Sequence, residues 1–271
     1  VGVREYKGFL IPYIILLDAQ FNNGRWIYWL ECLRDRHIPD NGLPQIEFCD
    51  SSAYGPSKEV HRHIEKCIEY LSYKTGAWNA LSLLLAWILF GLGKADYPKD
   101  ISEDQHEWLY RNFNAGLLIR APYDYWGDII CEKHSNGWNP NGFYPTPHSI
   151  CKMMTQMIMG DTNQHKGIFS TVSDPAVGTG RMLLEASNRS IFLYGQDIDH
   201  MVLKACHINM ILYAPWAAMP VESIEEPPYY RIPEKASIAA EAALLLVSQL
   251  NEEIGGRQNI VPIKEKKKEA A

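Results

Sequence analysis

The sequence predicts a mixed α/β protein in three parts. A helical N-terminal domain covers residues 1–133, an α/β domain with an incomplete parallel sheet covers 134–233, and a C-terminal helix with a charged tail covers 234–271. Three observations carry this prediction. Apolar residues recur at helical spacing through the first half. After an Asn/Gly/Pro-rich loop between Lys133 and Tyr144, short apolar strands alternate with helices, as a parallel sheet requires. The strands then run out after Tyr230, so the sheet is partial and its edge needs cover from the tail helix, the N-terminal helices or another chain.

In the first half, residues 24–36 form an apolar-faced helix that stops before Pro39. Ser57 is expected to cap a long helix through Tyr73, with Val60, Ile64, Cys67, Ile68 and Leu71 on one face. Residues 77–93 are almost wholly apolar, yet shorter than the roughly 20 residues of a membrane span. They read as a buried helix ended by Gly91 and Gly93. Ser102 starts a further helix running towards Ile119, with Glu103 and Asp104 near its positive end. The aromatics Trp108, Tyr110, Tyr123, Tyr125, Trp126 and Trp138 are expected at the junction of the two domains.

The second half reads as a helix over 147–159, a strand over 168–172, a Gly-rich turn and a helix over 181–187. A strand over 191–194 and a helix over 201–213 follow. Residues 237–250 form an Ala/Leu-rich helix, and 264–269 a charged tail.

Composition narrows the classes. The net charge of −6 excludes a protein that coats nucleic acid by charge alone, but not one with a local basic groove or a basic partner. Six scattered cysteines without a Cys-x-x-Cys pair or an export signal fit reduced thiols in the cytoplasm. The chain opens on Val1, which is expected of a fragment or a processed product. His61, His63 and Cys67 have zinc-type donors, but His61 and His63 diverge on one helix and no second ligand pair lies nearby, so no metal is expected.

The chemistry concentrates at Asp174-Pro175-Ala176-Val177-Gly178-Thr179-Gly180, between a strand and a helix. Glycines there let the backbone approach a ligand, and the next helix offers free N–H groups. No Gly-Lys-Ser/Thr follows, which excludes a P-loop, and a dinucleotide fingerprint would need glycine where Leu183 stands. The second strand ends in Gly195-Gln196-Asp197-Ile198-Asp199. A carboxylate at that tip can accept from both hydroxyls of a ribose, the role expected of Asp197, while Asp199 caps the next helix.

These segments, with His207-Ile208-Asn209-Met210 in the following helix, resemble the cofactor half of adenine-N6 DNA methylases, and in particular the modification subunits of type I restriction systems. Asn141-Gly142-Phe143-Tyr144-Pro145-Thr146-Pro147 is similar to the segment preceding the first motif of that family. Pro122-Tyr123-Asp124-Tyr125-Trp126-Gly127-Asp128 resembles the join between its helical and catalytic parts. The likeness spans residues 105–215.

The resemblance implies a Rossmann-like, S-adenosylmethionine-dependent methyltransferase domain of a cytoplasmic restriction-modification protein. Tyr144, Thr146 and Pro147 would lie against the methionine end of S-adenosylmethionine. Asp174, Ala176, Gly178 and Gly180 would wrap that end, Asp197 would take the ribose, and Ile198 would flank the adenine. DNA would be reached through a partner or specificity subunit, with a homo-oligomer or a complementing methylase half completing the fold.

The family also carries Asn/Asp-Pro-Pro-Tyr/Phe, which accepts hydrogen bonds from the target amine and stacks on the flipped base. The nearest counterpart here is Glu226-Pro227-Pro228-Tyr229, the degenerate candidate for the catalytic residues. The longer Glu226 displaces the acceptor oxygen, and a misplacement of about 1 Å can cost about a hundredfold in rate. Two readings follow: a methylase completed by a partner or a missing segment, or a catalytically inactive, methylase-like assembly or DNA-associated protein.

Overall fold

The computed structural model describes residues 7–134, 141–160 and 167–217. The expected tail helix, the charged tail, Trp138 and Glu226 to Tyr229 lie outside the described residues. Seven helices form the first part: α1 (Ile11–Phe21), α2 (Arg25–Asp35), α3 (Gly55–Thr75), α4 (Ala77–Gly91), α5 (Glu103–Asn112), α6 (Ala115–Arg120) and α7 (Tyr125–His134). The second part runs α8 (His148–Met159), β1 (Thr171–Asp174), α9 (Arg181–Ala186), β2 (Phe192–Gly195) and α10 (His200–Tyr213).

β1 and β2 pair in parallel, from Thr171 opposite Phe192 to Asp174 opposite Gly195. The fold is thus α/β in class, mostly helical, with a two-stranded parallel sheet among the described residues. Helix α9 crosses between the strands and packs on both, with α8 and α10 against it. No further strand lies beside β1 among the described residues, and Thr171 and Ser173 are exposed.

The apolar segment after Gly76 is α4, whose Leu81, Leu84, Leu85 and Trp87 are fully buried. It packs against α3 and α10, so its hydrophobicity serves the core. No helix among the described residues is long and apolar enough to cross a membrane.

Three boundaries and the placement of two aromatic side chains differ from expectation. Tyr54, not Ser57, is the cap residue of α3, because Pro56 with its preset φ sits in the first turn. The Ser57 hydroxyl donates to the carbonyls of Ser51 and Tyr54 instead. The helix begun by Ser102 keeps its reciprocal cap with Gln105 but ends at Asn112. Phe113 is extended, and Asn114 caps a separate α6 by accepting from Gly116 N–H. The first strand begins at Thr171 rather than Ile168, since Ser170 N–H closes a turn onto the Gly167 carbonyl; Ile168 keeps one link across, its carbonyl accepting from Ile191 N–H at 2.9 Å. Finally, Tyr110 is half exposed and Trp108 stacks on Tyr70 of α3 at 3.9 Å, so neither lies at the junction; buried Tyr123, Tyr125 and Trp126 do.

A single apolar core runs through both parts, and a buried cation joins them. Arg25 on α2 is fully buried and donates to the Ser187 carbonyl and hydroxyl, Asn188 Oδ1, and the carbonyls of Pro44 and Tyr213, at 2.8–3.1 Å. Trp26 Nε1 donates to the Leu212 carbonyl at 3.1 Å. The last carbonyls of an α-helix have no partner within it. One arginine and one indole from α2 therefore cap the C-terminal ends of α9 and α10. Trp29 and Trp216 stack on each other at 4.7 Å, and the guanidinium lies 4.9 Å from each ring.

Candidate functional site

The C-terminal ends of β1 and β2 open onto a cleft of about 490 Å³, within the range of small-molecule sites. Three walls form it. The loop after β1 supplies Asp174 to Thr179, with Arg181 and Met182 beyond; the tip of β2 supplies Asp197, Ile198 and Asp199; and Asn141 to Thr146 close the third side.

Local hydrogen bonding shapes the loop. The Asp174 carboxylate accepts from Ala176 N–H at 3.0 Å, and Gly180 N–H closes a turn onto the Val177 carbonyl. Gly178 and Gly180 have φ of 54° and 92°, the left-handed region where side chains are strained. A Cβ on Gly178 would lie 3.0 Å from the Phe143 ring, and one on Gly180 would lie 2.9 Å from Cys206 Sγ. Glycine is thus required at both positions on two grounds.

Asp197 straps the loop to the sheet. One carboxylate oxygen accepts from Gly178 N–H and the other from Asp199 N–H, both at 2.9 Å. Each oxygen carries about two lone pairs, so each keeps one for a further donor. Asp199 caps α10 as its sequence position predicts, accepting from Met201 N–H at 2.7 Å. Its other oxygen accepts from Asn141 Nδ2 at 2.8 Å, which ties the third wall to the second. Burial pushes the Asp199 carboxyl up, but the bonds from Asn141, Met201 and Val202 outweigh it and hold the group below the usual carboxylate range.

The cleft therefore gathers Tyr144, Thr146, Asp174, Ala176, Gly178, Asp197 and Ile198, seven of the nine residues expected at a cofactor. Pro147 and Gly180 stand outside its lining: Pro147 caps α8, and Gly180 is packed behind against Met210 and Cys206. Tyr144 is 77% and Ile198 82% exposed, two large apolar side chains at the rim of a polar hollow. Asn141 and Met182 also line the cleft, although sequence reasoning gave neither a role.

Residues 129–215 match the family model for N-6 DNA methylases. This part of the chain is similar to that family. No match was found among curated proteins or among solved structures. The matched segment begins within α7 and ends just past α10, so it contains every segment that walls the cleft.

Behind the glycine loop after β1 lies a buried ionic network that sequence reasoning missed. Asp124, fully buried and directly before α7, accepts from Thr179 Oγ1 at 2.5 Å and Arg181 Nε at 2.7 Å. Arg181 Nη2 also donates to Asp128, and its Nη1 to the Thr146 carbonyl at 3.3 Å. Asp128 further accepts from Tyr123 Oη at 2.8 Å and from the Ser52 hydroxyl. Burial pushes Asp128 up, but Arg181 and these hydroxyls outweigh it and hold its carboxyl below the usual range. Burial pulls Arg181 down, yet Asp124, Tyr123 and Asp128 raise it overall, so the guanidinium stays charged.

The remaining metal- and nucleophile-type residues have structural surroundings. His63 Nε2 accepts from Asn114 N–H, and Cys67 is buried. His61, Glu65 and Glu132 come together between α3 and α7, where Lys133 Nζ bridges both Glu65 oxygens at 3.1 and 3.2 Å. His134 stacks on Trp78, and buried His148 lies 3.6 Å from Glu185.

Proposed function

We propose that the cleft binds S-adenosylmethionine on a Rossmann-like βαβ frame, and that the protein methylates adenine N6 in DNA when a partner or a missing segment completes it. The observation that carries this reading is the convergence of Asp174, Gly178 and Asp197 on one nucleoside-sized hollow rimmed by Tyr144 and Ile198.

The residues fit the cofactor part by part. Asp174 has a carboxylate oxygen beyond the one taken by Ala176 N–H, suited to the cofactor's ammonium group. The lone pair left on each Asp197 oxygen suits one hydroxyl of a ribose diol. The exposed face of Ile198 offers apolar contact to the adenine, and Tyr144 with Thr146 lies along the methionine end. Ala176 and Gly178 leave room along the loop for the methionine chain, where a side chain on Gly178 would strike Phe143. Pro147 and Gly180 act from behind, as the cap of α8 and the hinge into α9.

When bound, the cofactor supplies an electrophilic methyl group at its sulfonium. The residues above hold and orient it. Acceptors for the target amine come from an Asn/Asp-Pro-Pro-aromatic tetrad on a complementing methylase half or from a modified role of Glu226 to Tyr229, while a homo-oligomer would cover the open sheet edge. DNA contact comes through a partner or specificity subunit, as the chain's net negative charge favours. The setting is a cytoplasmic restriction-modification system.

Titration calorimetry with S-adenosylmethionine tests the cofactor reading. Binding that is lost in Asp197→Ala supports it, and absence of heat at millimolar ligand removes it. A second reading, a catalytically inactive assembly or DNA-associated protein, is favoured by one observation: the given sequence holds no Asn/Asp-Pro-Pro-aromatic tetrad, Glu226 to Tyr229 being its nearest counterpart. Radiolabel transfer to adenine-containing DNA by the isolated chain would eliminate that alternative.

A further inference from the structure

The four donors around Asp124 come from four separate elements. Oδ1 accepts from Gly127 N–H of α7 at 3.0 Å and from Asn209 Nδ2 of α10 at 2.7 Å. Oδ2 accepts from Thr179 Oγ1 of the glycine loop at 2.5 Å and from Arg181 Nε of α9 at 2.7 Å. A carboxylate has about four lone-pair sites, and here all four are used. The Asp124 carbonyl takes a fifth bond, from Arg181 Nη2 at 3.2 Å. Asn209 Nδ2 donates onward to the Thr179 carbonyl at 2.8 Å, so the loop is held by both its side chain and its backbone.

Three groups held by this network face the cleft. Thr179 and Arg181 belong to the wall after β1, while Thr146 belongs to the opposite wall and receives Arg181 Nη1 on its carbonyl. One carboxylate outside the cleft therefore sets the spacing of two walls through a single guanidinium. Asp124 itself is absent from the lining, so it has no direct reach to a ligand.

We propose that Asp124 is the positioning residue of the cleft: through Thr179 and Arg181 it fixes the distance between the loop after β1 and the Tyr144–Thr146 wall, and so sets cofactor affinity. This rests on the S-adenosylmethionine reading above. It also assigns the helical part a share in binding, since the residue leading into α7 is the anchor while the ligand touches only the α/β part.

The test compares cofactor affinity with stability in the full chain. Asp124→Asn keeps the size of the side chain but turns an amide towards Arg181, and it should weaken S-adenosylmethionine binding about tenfold or more, the loss expected for one charge-assisted bond. Thr179→Val removes one donor while Asp124 keeps the other three, and it should weaken binding in the same direction by a smaller factor. It serves as the readout if Asp124→Asn does not fold. Ile64→Val, in the core of α3, lowers stability without touching the network and should leave affinity unchanged. Pairing Asp124→Asn with Arg181→Gln restores a neutral match and should recover part of the lost affinity.

If the wild type binds and both Asp124→Asn and Thr179→Val bind within twofold of it, the proposal is overturned while the cofactor reading stands. A proportional loss in Ile64→Val also overturns it, because affinity would then merely follow stability. A wild type that gives no heat removes the cofactor reading and this proposal together.

Discussion

Gly127 offers a sharp test of how the network is packed, because the usual effect of the substitution should reverse there. Replacing glycine by alanine inside a helix ordinarily stabilises by roughly 0.5–1 kcal/mol. At position 127 the added Cβ would run into the Asp124 carboxylate, with Cγ at 3.0 Å and Thr179 Oγ1 at 2.8 Å. Neither neighbour can yield freely, since both are buried and bonded to each other. Overpacking of this kind costs about 1–3 kcal/mol, and separating a buried ion pair costs about 3–5 kcal/mol. Against the propensity gain, Gly127→Ala should destabilise by about 2–4 kcal/mol. At about 2–4 °C per kcal/mol for a chain of this size, that is a fall in Tm of roughly 5–15 °C. Thermal and urea melts of wild type and variant measure it. A variant as stable as the wild type, or more so, would refute the claim that Asp124 is held tightly against α7.

Three further perturbations follow from the same structure. Burial raises the Asp18 carboxyl from 3.8 to about 7, so the folded state holds this proton while the unfolded chain has lost it. Its contribution is therefore most favourable below pH 4, declines as pH rises to about 7 and is level above that; the Asp18→Asn minus wild-type stability difference should grow by about 4 kcal/mol across that window. Urea titrations at several pH values check this, and a flat difference contradicts it. Arg25→Met should cost about 3–5 kcal/mol by stripping the caps from α9 and α10, and Arg25→Lys should recover little, because an ammonium cannot span acceptors arranged for a guanidinium. A lysine variant within 1 kcal/mol of wild type, on the resolution of such measurements, would show that the fork geometry is unimportant. Gly178→Ala combines a left-handed φ, costing about 1–2 kcal/mol, with contact on Phe143. It should reduce S-adenosylmethionine affinity in calorimetry, and unchanged affinity would count against the loop's close approach to the ligand.

The parts of the fold that were readable in the sequence are those specified locally. The glycines of 178 and 180 between a strand and a helix, Asp199 one residue before an apolar helix, and Ser102 three residues before Gln105 each act on backbone groups a few positions away. The cleft was readable because its three walls are continuous short segments. The Asp124 network was not, since three of its four donors lie 55, 57 and 85 residues away in sequence. The same holds for Arg25, whose acceptors on Ser187 and Tyr213 are 162 and 188 residues distant; alone, it looks like an ordinary helix-surface arginine. A faint signal existed for Asp124, in a glycine three residues later inside a helix, which asks what occupies the missing side chain's space. Boundaries failed where a nearby residue competed: Pro56 over Ser57, and a Gly167–Ser170 turn over the apolar pair Ile168-Phe169.

The central claim is that Asp174, Gly178 and Asp197 face one bound nucleoside. A crystal structure of the chain grown with S-adenosylmethionine examines it most directly. The account predicts ligand density in the cleft, with both ribose hydroxyls on Asp197 and the adenine against Ile198. Density elsewhere on the molecule, with the cleft closed by its own side chains, would contradict it.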